Sequence, residues 1–488
     1  MTPQVTMQLA LAAPLLGAAL IVLTGHRPNL RETVTLVTAA AMFLLVASLV
    51  PEVMAGGRPE VVFGEMLPGL PIALKLEPLG MVFALIASFL WIVTSIYAIG
   101  YMRGHHELNQ TPFYAFFAVA LFSAVFVAFS GNLLTLFLAY EILSVSTYPL
   151  VTHHRTPEAK RGGRVYLGIL LTTSIGFFLF AIVWTWLAAG TLDFTDGGIL
   201  SGKVSDGVAG VLLALYVFGI GKAAVMPFHR WLPAAMVAPT PVSALLHAVA
   251  VVKAGVFSVV KVAVYIFGVD FLHSLAASQW LQYAAAATIV LASLVAMTKD
   301  NLKARLAYST VSQLSYIVLG AMLATEISVV GGGMHIAMHA FGKITLFFCA
   351  GAILVAAHKT EISQMRGIGR VMPITTFAFL IGSLSIIGLP PFGGMWSKWY
   401  LALGALDAGK QVMVAVLMIS SLLNIAYLLP IPIRGFFCEP DDNPGHGAGV
   451  REAPWPCVLA LSISAIGCLA LFFFPEPVYN LLAGMFVR

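Results

Sequence analysis

Apolar runs close to the roughly 20 residues needed to cross a bilayer recur from one end of this 488-residue chain to the other. Inside lipid no water is available to the backbone, so such runs must satisfy their own N–H and C=O groups as helices. The expected fold class is an all-α polytopic membrane protein. About fourteen spans are predicted, centred near residues 15, 41, 88, 120, 141, 176, 217, 252, 288, 314, 343, 384, 422 and 464. The first run, Val5 to Thr24, has no basic residue before it and no distinct small-residue cleavage site, so it reads as the first span and not as a signal peptide. The segment Pro51 to Glu77 is Gly/Pro-rich and partly alternating, which predicts a small hairpin outside the membrane.

Cys349, Cys438, Cys457 and Cys468 form no CxxC pair, and no Gly-rich nucleotide fingerprint follows a strand-like segment. No flavin, nicotinamide, iron–sulfur or metal site is therefore expected, and any electron transfer belongs to other chains.

The placement of charge carries more information. With the N-terminus outside, sixteen of the 26 basic residues fall in inner connections, among them Arg27, Arg103, Arg164 and Arg305, and five fall outside. That asymmetry predicts that both termini lie outside. The five residues left over are all lysines at membrane depth: Lys222, Lys253, Lys261, Lys343 and Lys398. Lys261 lies near a helix end, within reach of snorkelling to the interface. Among the acids the same sorting leaves Glu141 alone, in LTLFLAYEILSVSTY.

A charge at the centre of a membrane helix costs about 2.5–3.5 kcal/mol on the most lenient scale, so the set points to a conduction path. Structural ion pairs would need more acids, since one carboxylate cannot neutralise five lysines. Lysine also suits proton relay where arginine does not: a desolvated lysine releases its proton, whereas a guanidinium stays charged.

Two of these lysines accompany prolines. Lys222 precedes Pro227 and Pro233 in GIGKAAVMPFHRWLP, and Lys398 follows Pro390 and Pro391 in IGLPPFGGMWSKWYL. Proline removes an amide donor and clashes with the preceding turn, so helices 7 and 12 should be broken. Freed carbonyls at membrane depth need protein or water around them. The lysine is N-terminal to the break in one helix and C-terminal in the other, as inverted repeats around midplane sites would place them.

Further polar groups lie between the two breaks. The eighth helix carries Ser243, His247 and Lys253, and a regular helix would not stack the last two on one face. The eleventh carries His335, His339 and Lys343 at intervals of four, along one stripe. The HxxxH spacing matches a metal pair, but the Glu of HExxH is missing and a lysine lies one turn on. A polar stripe with imidazoles titrating near neutral pH fits a water-mediated proton wire better.

The run KAAVMPFHRWLPAAMVAPTPVSALLHAVAVVKAG resembles the most characteristic stretch of the antiporter-like subunits shared by respiratory complex I, membrane-bound hydrogenases and Mrp-type cation/proton antiporters. LAYEILSVSTYPL, KDNLKARLAYSTVSQLSYI, MHAFGKITLFFCAG and GLPPFGGMWSKW extend the likeness over roughly residues 75 to 435, in family order. The resemblance implies N-terminal helices 1–3 with the hairpin over residues 1–110, and inverted five-helix repeats over 111–265 (helices 4–8) and 275–436 (helices 9–13). A last helix follows over 437–488. It implies a proton relay of Glu141 with Lys222, His247 with Lys253, then His335, His339 and Lys343, and finally Lys398. Opening or closing the Glu141–Lys222 pair would shift the lysine's proton affinity. At 4 Å and an effective dielectric near 20, one pair is worth about 4 kcal/mol, or roughly three pKa units.

Within the superfamily, the chain ends soon after helix 14, without the lateral-helix extension of the largest complex I antiporter-like subunit. Lys398 departs from the glutamate usual in the M-type subunit. The size and the lysine suit Mrp D-type or N-type subunits and the hydrogenase relatives. The leading reading is a proton-translocating subunit of a multi-subunit complex in a prokaryotic cytoplasmic membrane, with further antiporter-like subunits and the lipid bilayer as partners. Two alternatives are a Mrp-type Na⁺/H⁺ antiporter subunit and a structural subunit whose axis no longer conducts. The complete set of Glu141 and the axial lysines argues against the last.

Overall fold

A computed structural model describes residues 1–439 and 450–486, apart from the side chain of His247. All fourteen expected centres fall on helical segments. Eleven helices among the described residues are long and apolar enough to cross a membrane. In chain order the first six segments are α1 (Pro3–Leu23), α2 (Pro28–Ala47), α3 (Pro78–Gly104), α4 (Gln110–Phe129), α5 (Leu133–Val151) and α6 (Pro157–Ala189). Then come α7 (Asp206–Gly219), α8 (Val251–Val262, with the turns before and after it), α9 (Ala276–Thr298) and α10 (Leu302–Leu323). The last four are α11 (Glu326–Ala357), α12 (Pro373–Ile387), α13 (Gln411–Phe437) and α14 (Trp455–Phe473).

The three segments that fail the continuous-helix test are α7, α8 and α12. The breaks in α7 and α12 follow from their prolines. α7 stops at Gly219, passes through a tight turn at Gly221–Ala223 and resumes only at Trp231–Ala234. α12 stops at Ile387 and resumes at Gly394–Asp407. Pro227 and the second proline of Pro390–Pro391 follow cis peptide bonds. The mirror symmetry expected of the lysines is imperfect: Lys222 lies inside the first break, while Lys398 sits one turn into the resumed helix of the second. The α7 helix already ends at Gly219, so its break reaches back from Pro227 far enough to include Lys222.

α8 departs from a regular helix where no proline predicts it. It is built from Thr240–Ala244, a wide turn at Leu245–Val249, a kink at Ala250, then Val251–Val262 and a second wide turn at Ala263–Phe267. The regular-helix rotation between His247 and Lys253 therefore does not apply.

α11 is the centre of the bundle. It packs against α3, α8, α10, α14 and both halves of α12, and almost all of its side chains from Ser328 to Ile353 are buried. α1, α2 and α13 instead expose Leu16, Val37, Leu44, Met418 and Leu422, as a lipid-facing surface requires.

The expected hairpin is present. Strands β1 (Glu60–Leu67) and β2 (Leu70–Lys75) pair antiparallel, with Glu60 opposite Lys75 and Leu67 opposite Leu70. β2 is pinned over the start of α5, where Asn132 donates to Pro71 O at 2.8 Å and Ala73 N donates to the Thr135 hydroxyl at 3.0 Å.

Candidate functional site: a buried lysine–histidine axis

Lys222 is wholly buried and turned onto α5. Its backbone N–H donates to the Tyr140 hydroxyl at 3.0 Å, and its Nζ donates to Tyr140 O at 2.8 Å and to Ser144 Oγ at 2.6 Å. The ammonium also lies 3.1 Å from the centre of the Tyr140 ring. The carbonyl of Gly221, in the tight turn, accepts from Ala224 N at 3.0 Å and from Trp231 Nε1 at 2.9 Å.

Tyr140 and Ser144 are four residues apart and share one face of α5. Glu141 lies about 100° around the helix from Tyr140, and its buried carboxylate oxygens have no hydrogen-bond partner among the described residues. Lys222 thus grips α5 beside Glu141 without closing the ion pair that the resemblance implies.

α8 passes directly over this break at Gly255. A Cβ there would overlap the carbonyl carbon of Lys222 and the nitrogen of Ala223, so only glycine permits the approach. Two residues away along α8, Lys253 reaches α11, and its Nζ is 2.7 Å from His339 Nδ1. Both groups are bases. The bond forms when the lysine, as ammonium or as neutral amine, donates to a neutral imidazole, or when the imidazolium donates to a neutral amine, so a proton can pass between the two sites.

The His339 ring is 5.7 Å from that of His335. His335 Nδ1 lies 2.8 Å from Ser397 Oγ, its Nε2 lies 3.1 Å from Gln313 Oε1, and the ring stacks on Tyr316 at 5.4 Å. Ser397 Oγ has one proton and two acceptors within reach, His335 Nδ1 and Gly394 O at 3.1 Å. When it donates to Gly394 O, it can accept from a protonated His335, so the hydroxyl turns as the imidazole gains or loses its proton.

Lys398 approaches the same tyrosine from the other side, with Nζ 5.0 Å from the Tyr316 ring. It donates to Ile387 O, the carbonyl left open by the second break, at 3.0 Å and to Ser421 Oγ at 3.1 Å. It lines a cavity of about 560 Å³ between the resumed half of α12 and α13. Lys343 leaves this line and donates to Ser309 Oγ on α10 at 2.5 Å, where Tyr427 also donates at 2.8 Å and in turn bonds Asn424.

The structure thus joins Lys253, His339, His335 and Lys398 through Gln313, Ser397 and Tyr316, with Lys343 on a side branch and Lys222 one helix crossing away. Ser243 is buried and directed at Pro239 O, while the side chain of His247 lies outside the described residues. Hydropathy alone passes over Tyr140, Ser144, Ser309, Gln313, Tyr316, Ser397 and Ser421. The signal that finds several of them is α10, where STVSQLSYI places small polar residues on every face of a helix that is nearly all buried.

Lys261 corrects two expectations. It does not snorkel: it is wholly buried, 3.2 Å from Glu77 Oε2, and donates to Ser130 O at 2.6 Å. Glu77 is not a loop acid but a second buried carboxylate, 2% exposed at the start of α3. One of the five lysines is therefore neutralised by a structural pair.

The sequence model described as "NADH:quinone oxidoreductase/Mrp antiporter, TM" matches residues 130–424, from the approach to α5 to the middle of α13, a stretch that contains every axial residue above. The chain belongs to this family. It is 32% identical over 493 residues to the NADH-quinone oxidoreductase subunit N of Desulforudis audaxviator, covering 94% of this chain and 98% of that one. Among solved structures, a chain of the Mrp complex from Dietzia sp. DQ12-45-1b superposes with a TM-score of 0.87 at 22% identity, covering 99% of this chain and 97% of that one. A chain of the membrane-bound sulfane sulfur reductase, an archaeal respiratory membrane complex, gives 0.87 at 25% identity, covering 99% and 96%. The antiporter-like fold of this family therefore extends over essentially the whole chain.

Proposed function

We propose that this chain is the proton-translocating, antiporter-like subunit of a multi-subunit prokaryotic membrane complex of the NADH-quinone oxidoreductase or hydrogenase type. In this reading both termini lie outside, helices 4–8 and 9–13 are inverted repeats, and redox chemistry resides in partner chains. The observation that carries it is the 2.7 Å contact between Lys253 and His339, two buried bases within proton-transfer reach of each other. It continues through His335 toward Lys398 in a membrane interior where ionisable groups are costly and usually mark a path.

The geometry supports a sequence of local steps. With Glu141 unpaired, Lys222 is held by neutral oxygens. Movement of either side chain by one residue along α5 would bring the carboxylate to the ammonium and raise its affinity for the proton. Separation would lower that affinity by the roughly 4 kcal/mol of a 4 Å pair, releasing a proton toward α8. Lys253 and His339 then exchange one proton, and Ser397 reorients as His335 titrates. At Lys398 the broken backbone leaves the Ile387 carbonyl open beside the lysine.

Proton uptake into inside-out vesicles of the native membrane tests this. Lys222→Ala and Glu141→Ala should each abolish uptake while the complex still assembles. Normal uptake in both variants would remove the axis from the mechanism, and a strict Na⁺ requirement would place the chain in cation/proton antiport instead.

A further inference from the structure

Outside the axis, one cluster of titratable groups is built around a single carboxylate. Glu107, in the turn between α3 and α4, has Oε1 3.1 Å from His105 Nδ1 and 3.1 Å from His154 Nε2, and Oε2 3.7 Å from His153 Nε2. His153 and His154 lie just past α5. The cluster borders a surface cavity of about 310 Å³ that His106, Asn109 and Arg155 also line. His154 reaches further: its Nδ1 is 3.2 Å from the carbonyl of Val237, in the connection from broken α7 to α8. The next carbonyl, Ala238 O, accepts from Lys303 Nζ of α10 at 2.6 Å.

Both partners of His154 are acceptors. A neutral imidazole has one N–H and can serve only one of them, whereas the imidazolium serves both. The two contacts together define a protonated His154. We propose that this cluster is a proton-binding, pH-sensing clasp: with His154 protonated it ties the α3–α4 and α5–α6 turns to the α7–α8 junction, and with His154 neutral it releases one of them. The junction it holds lies between Lys222 and Lys253, so the clasp links the proton concentration on this basic face to the geometry of the axis.

The surroundings favour the closed form. The hydrogen bond to Glu107 raises His154 above its ordinary value, against burial and the charge of Lys303. Burial pushes Glu107 up, but the hydrogen bond from His154 and the charges of His154, His153 and His105 outweigh it and hold the carboxyl low. Burial lowers His153, against the charge of Glu107. The other titratable and charged groups lining the cavity beside the cluster are His106 and Arg155. Because the shift of His154 is upward from 6.5, the double contact is complete below that pH and is lost as pH rises through the raised value.

Hydrogen exchange of the full-length chain in its native membrane, read by mass spectrometry over residues 235–244 from pH 6 to 9, tests the clasp. After correction for intrinsic base catalysis, exchange should rise at least several-fold with a midpoint above 6.5. His154→Gln should be fast throughout with no transition, and Glu107→Gln should move the midpoint down toward an ordinary histidine. A flat corrected profile in the unaltered protein would overturn the proposal without recourse to any variant. So would a His154→Gln protein that keeps the transition.

Discussion

Replacing Glu77 by glutamine leaves Lys261 as an ammonium with no counter-ion in a site where it is wholly buried. The magnitude follows from the geometry. At 3.2 Å and an effective dielectric near 20 the pair attracts by about 5 kcal/mol. Deleting one partner of such a buried pair costs about 3–5 kcal/mol, because the remaining charge keeps its desolvation penalty. Lys261 retains Ser130 O at 2.6 Å and the face of Phe194 at 4.3 Å, which places the expected loss at the lower end, near 3 kcal/mol. Adding Lys261→Met removes the stranded charge and should bring the double variant back to within about 1 kcal/mol of the parent. Equilibrium unfolding of the purified chain in mixed micelles, as a full double-mutant cycle, measures the coupling. A loss below about 1 kcal/mol for Glu77→Gln, or a double variant no more stable than the single one, would refute the structural ion pair.

Three further outcomes are expected. Gly255→Ala forces a Cβ onto the Lys222 backbone, which has no flexible end to move aside, so it should cost about 1–3 kcal/mol in the same unfolding measurement and also impair proton uptake. Gln313→Leu removes the acceptor facing His335 Nε2, leaving a buried polar atom unmatched at a cost of about 1–3 kcal/mol; uptake should slow with assembly intact, and an unchanged rate would take Gln313 out of the path. For Glu107, whose carboxyl is held below 4.5, the native advantage over Glu107→Gln should be present above that pH and shrink as pH falls through the depressed value. Thermal unfolding of the two proteins between pH 3 and 6 checks the sign.

The parts of the fold legible in the sequence are those governed by composition and by proline. Apolar runs place each expected centre on a helical segment, Pro227 and Pro390–Pro391 mark two breaks, and the alternation in EVVFGEM and IALKLE marks the hairpin. The interruption of α8 leaves no such trace: LLHAV contains neither proline nor glycine. Glu77 escaped notice because it directly precedes Pro78 and reads as a loop acid, while its burial depends on Lys261, Ser130 and Phe194, which are distant in sequence.

The axial lysines and histidines stand out because a cation in an apolar helix is rare. Their partners do not, since serine, tyrosine and glutamine are unremarkable in membrane helices until a structure shows what they face. Sequence likewise suggests that Lys222 meets Glu141, and the structure explains why it meets Tyr140 and Ser144 instead. The break lets the lysine side chain run along the face of α5 that those two residues share.

Proton exchange between Lys253 and His339 requires a side chain that can give the proton up. Lys253→Arg keeps the positive charge and much of the length but removes that ability. Proton uptake measured in native-membrane vesicles containing the assembled Lys253→Arg complex should fall to the background of vesicles lacking the subunit. Uptake at the unaltered rate, with assembly confirmed, would contradict a lysine–histidine proton relay.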